Sequence, residues 1–149
     1  MDTKICILYL TWQFKGGVEG RIKTLNRILS ESYDVTCLSI GQFIDYDKSQ
    51  QINFYSRIKI QITGILKLRS ILKRYHLVIS FTQLPSLLSL FTSRTHISVV
   101  TGSSFHDQDS SWFSKLYWSF LLQPLTFLFT SAIVPAAPHL IPRCFEFSY

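Results

Sequence analysis

Along this chain, short apolar runs of strand length alternate with longer stretches in which apolar residues recur at helical spacing, and few folds accommodate that order. Residues 5–10 form a compact apolar run that predicts a buried strand, ending at Thr11 and a loop that carries Gly16 and Gly17. A helix is expected next. Val18, Ile22, Leu25, Ile28 and Leu29 recur along one side, Glu19, Arg21, Lys23 and Arg27 take the other, and Glu19 and Lys23 form a supportive i,i+4 pair. Residues 34–40 read as a second strand closed by Gly41, whereas residues 42–56 carry little pattern beyond an expected short strand around 52–55. Helical period returns over 57–75, with Ile58, Ile62, Ile65, Leu66, Ile71 and Leu72 on or near one side and Gly64 as a weak point. Residues 76–81 predict a strand, 84–91 a short helix with Pro85 in its first turn, and 96–100 a strand ending at Thr101-Gly102.

Strands separated by helices call for crossover connections, so the expected fold is α/β, with a mostly parallel sheet and helices on both faces. In such a sheet ligands gather at the carboxyl ends of the strands, near the point where the strand order reverses. Three loops should therefore converge there: 11–17, 81–84 and 101–110. The last third is the most apolar part. No Lys, Arg, Asp or Glu stands between Lys115 and Arg143, and residues 116–134 are long enough to span a membrane. Ser119, Gln123, Pro124, Thr126, Thr130 and Ser131 interrupt that stretch, which favours a buried helix followed by a strand at 131–134.

At 149 residues, 47% hydrophobic and 16% charged, the chain can bury the core of one domain, which excludes disorder. Three cysteines, two of them (Cys6 and Cys37) inside expected strands, exclude a disulfide framework and fit a reducing, cytoplasmic setting. The run at 5–10 is shorter than the apolar region of a signal peptide and lacks a small-residue cleavage site after it. Fifteen basic against nine acidic residues give a net charge of +6, so anionic partners are expected. The excess is local: Arg57, Lys59, Lys67, Arg69, Lys73 and Arg74 fall between residues 51 and 76 with no acidic residue among them. That helix either contacts an anionic surface or presents an ordinary solvated face, and aromatics do not interleave with it as base stacking requires.

Gly16 and Gly17 sit between a strand and a helix start, where free N–H groups and missing Cβ atoms suit a phosphate as well as a plain turn. Gly16, Gly17 and Gly20 do not match the G-x-G-x-x-G dinucleotide fingerprint, and Ser39, Ile40 and Gly41 stand where that motif's acidic residue would, so a nicotinamide-dependent dehydrogenase is disfavoured. A Walker A loop and a nucleophile elbow are absent, and no cluster of His, Cys and Asp has metal-ligand spacing. His106, in Thr-Gly-Ser-Ser-Phe-His-Asp, reads either as a donor to a phosphate or sugar hydroxyl or as an exposed loop histidine. Asp107 and Asp109 suit a helix cap; His76, His96 and His139 read as structural.

Taken together, Lys4-Ile5-Cys6-Ile7-Leu8-Tyr9, the loop Gly16-Gly17-Val18-Glu19 and the later Tyr33-Asp34-Val35-Thr36-Cys37-Leu38 resemble the start of family-four retaining glycosyltransferases. Residues 72–81, 99–106 and 131–135 resemble three later segments of that family, so the likeness covers about residues 3–140. It implies the first Rossmann-like half of a GT-B fold, the acceptor side, with a nucleotide-sugar donor, a carbohydrate or lipid-linked acceptor and no further cofactor. It also implies that Gly16 and Gly17 approach the donor diphosphate and that His106 touches the transferred sugar or its phosphate. A GT-B enzyme carries a second, donor-binding domain with a spaced pair of glutamates; here only Glu19, Glu31 and Glu146 exist, and no two keep that spacing. The expectation is thus a domain over 1–140, an irregular tail at 141–149, no second domain, and no activity in isolation. A second glycosyltransferase domain or subunit would complete it. The competing expectation is a non-catalytic interaction subunit, peripheral on the inner membrane face.

Overall fold

The computed structural model describes residues 3–10, 17–43, 54–92, 95–101 and 123–135. Five strands, β1 (Lys4–Tyr9), β2 (Asp34–Ser39), β3 (Leu77–Phe81), β4 (Thr95–Val100) and β5 (Ala132–Pro135), form one sheet in the order β2-β1-β3-β4-β5. Every neighbouring pair is parallel. Among the described residues the helices are α1 (Gly17–Ser30), α2 (Phe54–Leu72), α3 (Gln83–Ser89) and α4 (Gln123–Leu128), with a 3-10 turn at Ile40–Gln42. This is a Rossmann-like α/β arrangement.

The strand period assigns the two faces. Cys6, Leu8, Leu10 and Val78 point to one side and pack with Ile40, Leu68 and Leu72. Ile5, Ile7, Ile79, Phe81 and Val99 point to the other and pack with Ile22 of α1. Each fully buried aliphatic side chain contributes about 1.5–3 kcal/mol, so the central strands β1 and β3, apolar on both faces, anchor the sheet. Crossover handedness then explains the helix layers: the chain moves outward from β1 to β2 through α1, and back past β1 to β3 through α2. Right-handed connections of opposite direction place α1 on one face and α2, α3 and α4 on the other.

Local sequence closes each element. Lys23 Nζ lies 2.6 Å from Glu19 Oε1 on the surface of α1, as the spacing predicts, worth a few tenths of a kcal/mol. The Ser32 and Tyr33 amides donate to the Leu29 carbonyl at 3.1 and 2.9 Å and turn the chain into β2. His76 fastens the start of β3 to β1: its amide donates to the Lys4 carbonyl at 2.9 Å, and the Lys4 amide donates to its Nδ1 at 3.2 Å.

Two expectations need correction. The strand foreseen around 52–55 is overruled from Phe54 onward, because α2 begins there and runs unbroken through Gly64. Ile28, placed on the core side of α1, is exposed, as are Ile62 and Leu66 of α2. The favoured reading of the apolar stretch 116–134 agrees with its described part, which holds a six-residue helix and then β5, and no helix among the described residues is long and apolar enough to cross a membrane.

Candidate functional site

The strand order reverses between β1 and β3, whose outgoing connections leave on opposite faces of the sheet. Doubly wound sheets hold ligands outside the carboxyl ends of the strands at such a switch point. Leu10 after β1, Gly17 at the start of α1, Thr82 after β3 and Thr101 after β4 all lie at that edge. Gly17 opens a helix of 14 residues, whose first N–H groups lack intrahelical acceptors and face this edge. Gly16 and His106 lie outside the described residues.

Thr82 is the residue at this edge that sequence reasoning missed. Its φ of 76° and ψ of 173° belong to a region used almost solely by glycine. Neighbours hold it there: its amide donates to the Val99 carbonyl at 3.1 Å, and its carbonyl accepts from the Ser86 amide at 3.2 Å and the Ser86 hydroxyl at 2.7 Å. Its Oγ1 is buried with no hydrogen-bond partner. A strained backbone and an unpaired hydroxyl both oppose folding. Thr82→Gly should therefore raise stability by about 1 kcal/mol after the entropy that glycine adds to the unfolded chain, while Thr82→Ala, which keeps the strain, should gain less. Urea unfolding of the three chains measures this, and a glycine variant less stable than the parent would show that the threonine makes a stabilising contribution instead.

Behind Thr82 runs a buried polar chain. Ser86 Oγ lies 2.8 Å from Ser80 Oγ and 2.7 Å from Ser98 Oγ, and Ser80 Oγ lies 2.7 Å from His96 Nε2. Counting protons orders it. The Thr82 carbonyl can only accept, so the Ser86 hydroxyl donates there; Ser86 Oγ then accepts from Ser80 and Ser98. Ser80, its proton given, accepts from His96 Nε2–H. The imidazole is thus the neutral Nε2–H tautomer, and its Nδ1 is buried without a partner. Burial pushes the His96 pKa down to about 4, in agreement with that assignment.

A serine and an imidazole 2.7 Å apart have the spacing of an activated nucleophile and its base. Here the proton runs from ring to serine, nothing orients Nδ1, and Ser80 is fully buried. The group is a packing network. Sequence held a signal for it: Ser80 is the one polar residue of β3, and it pairs in register with Ser98, two residues after His96 in β4, all three facing inward.

The basic helix does not form a single patch. α2 runs antiparallel to the strands, so Arg57 and Lys59 belong to its turns near the carboxyl edge, and Lys67, Arg69, Lys73 and Arg74 to its opposite end. From Arg57 to Arg74 the backbone climbs about 25 Å at 1.5 Å per residue. Lys67, Lys73 and Arg74 are exposed, and Arg69 Nη2 donates to the Leu90 carbonyl at 3.2 Å.

The two described cysteines, Cys6 and Cys37, play no part at the site. Cys6 and Cys37 face opposite sides of the sheet, and both are free. Burial, with a smaller contribution from Cys37, pushes the Cys6 thiol up to about 12, and burial also raises that of Cys37. Among the described residues no group of three His, Cys, Asp or Glu side chains can hold a metal ion.

The chain matches no protein-family model and no curated protein. The fold and its strand order therefore define the class, a parallel α/β domain with a switch-point edge.

Proposed function

We propose that this domain is the acceptor-side half of a retaining glycosyltransferase, working with a nucleotide-sugar donor in polysaccharide or glycolipid synthesis. A second glycosyltransferase domain or subunit supplies the rest of the donor site. The observation that carries the reading is the switch point between β1 and β3, beside which Gly17 opens α1. There the Gly16 and Gly17 amides approach the donor diphosphate, and the helix end favours the charge that builds on it as the glycosidic bond breaks. His106 donates to the transferred sugar or its phosphate. In this reading the protein sits on the cytoplasmic side, peripheral on the inner membrane face, with its basic residues toward anionic lipid.

Transfer from a panel of nucleotide sugars, by the chain alone and with a candidate second domain, tests the proposal. Activity only in the combined reaction is the expected result. In that reaction Gly17→Val should lower turnover by about tenfold or more by blocking the approach of phosphate, and His106→Ala should lower it with the fold intact. Wild-type rates in both variants would overturn the residue assignments. Silence with every donor and second domain, from a folded chain, would favour the second reading, a non-catalytic subunit held at a membrane. The exposed basic end of α2 supports that alternative.

A further inference from the structure

The edge of the sheet opposite the candidate site carries a surface of a different kind. The three helices on one face all run antiparallel to the strands, so the ends of α2, α3 and α4 line up along the amino edge. Lys73 and Arg74 follow α2, Phe91 follows α3, and Leu128 and Phe129 close α4. The Arg69 guanidinium, bonded to the Leu90 carbonyl, ties the basic end of α2 to the turn that bears Phe91.

Large apolar side chains are exposed here. Phe91 is 68% exposed, Phe129 50% and Leu128 78%, and the two phenyl rings lean on each other with centroids 4.7 Å apart. Phe91 also has φ of 59°, in the left-handed region where helix ends usually place glycine or asparagine. A phenylalanine there strains the backbone and buries little of its ring, so the fold gains nothing evident from its presence. No acidic residue stands between Asp47 and Asp107, nor between Asp109 and Glu146, so every described residue of α2, α3 and α4 is basic or neutral. Lys73 and Arg74 thus have no neighbouring carboxylate on these elements.

We propose that this amino edge docks on an anionic lipid bilayer, with Lys73 and Arg74 against headgroup phosphates and Phe91, Phe129 and Leu128 in the boundary between headgroups and acyl chains. The inference rests on the peripheral-membrane part of the proposed function and gives it a surface. The charge supplies the choice of occupant. Glu31 and Asp34, at the start of β2, are the described carboxylates of this edge and stand on the α1 side of the sheet, beyond β1. An apolar tip flanked by cations on helices without acidic residues matches a negatively charged interface, whereas a purely apolar partner would leave the cations unpaired. The exposed aliphatic Leu128 favours lipid over nucleic acid, since it offers bases neither a stacking face nor a hydrogen bond.

Cosedimentation of the full chain with vesicles of phosphatidylcholine, alone or with a minority of phosphatidylglycerol, tests the proposal at low and high salt. Binding to the anionic vesicles, weakened by salt, is expected. Phe91→Asn should weaken it at least about fivefold, and Lys73→Gln or Arg74→Gln about fivefold each. Asparagine tolerates the left-handed backbone, so Phe91→Asn should melt no lower than the parent, which separates lost docking from lost folding. Equal binding to both vesicle types, or variants that bind as the parent does, would overturn the proposal. So would binding to single-stranded DNA but not vesicles, or a dimer in solution that Phe91→Asn dissolves. None of these readouts uses sugar transfer, so a failure of docking and a failure of the transferase reading are distinguishable.

Discussion

Leu68→Ala should destabilise the fold by about 3 kcal/mol, and Leu66→Ala, two residues away, should change stability by less than about 0.5 kcal/mol. Leu68 is fully buried between α2 and the sheet, in contact with the cluster of Cys6, Leu8, Ile40, Leu72 and Val78. Truncating it removes buried methyl groups and leaves a cavity that two central strands cannot collapse to fill. Leu66 is 62% exposed and has little packing to lose. Urea midpoints of the two variants provide the measurement. Equal losses would mean that α2 presents a different side to the sheet.

That pair of leucines also marks where sequence reading fails on this helix. Apolar residues occupy two i,i+4 rows: Ile58, Ile62 and Leu66 on one, and Leu68 and Leu72 with Gly64 on the other. A helix apolar on two sides gives its period but not its orientation, since the choice depends on what the sheet offers. The sheet selects the row with Gly64, the one row that lets the helix backbone come close, and leaves Ile62 and Leu66 outward. The strands were more legible. Runs such as Leu77–Phe81 are short, apolar and bounded by polar or turn residues, and in a doubly wound sheet the chain order of strands and helices nearly fixes the layers.

Less of the candidate site could be read. A glycine pair before a helix is visible in any sequence, and α1 does begin at Gly17, at the carboxyl edge. Thr82 was not, because its strain arises from contacts with Val99 and Ser86, and threonine gives no local hint of a positive φ. The six basic residues from Arg57 to Arg74, four in α2 and two just after it, read as one feature because they are neighbours in sequence. The helix axis separates the first from the last by about 25 Å, and only the later members reach the amino edge, beside Phe91.

His96 gives the second large effect, a loss of about 2 kcal/mol of stability between pH 7 and pH 5 that the His96→Gln variant should not show. The ring is only 4% exposed, and its burial pushes the pKa from an ordinary 6.5 down to about 4. Above pH 6.5 it is neutral in both folded and unfolded chains and its titration costs nothing. As the pH falls below that value the unfolded chain takes up a proton that the folded chain refuses, so stability declines until the pH approaches 4, where the folded ring also protonates. Stopping at pH 5 keeps most carboxylates ionised and isolates the imidazole. Glutamine can donate to Ser80 as Nε2–H does, but it has no proton to gain. The variant should therefore be less stable at pH 7, through poorer fit, yet nearly flat down to pH 5. Urea unfolding of both chains at the two pH values decides it: parallel curves would mean that His96 is solvated or paired at Nδ1, and the proton order inferred for Ser80, Ser86 and Ser98 would fall with it.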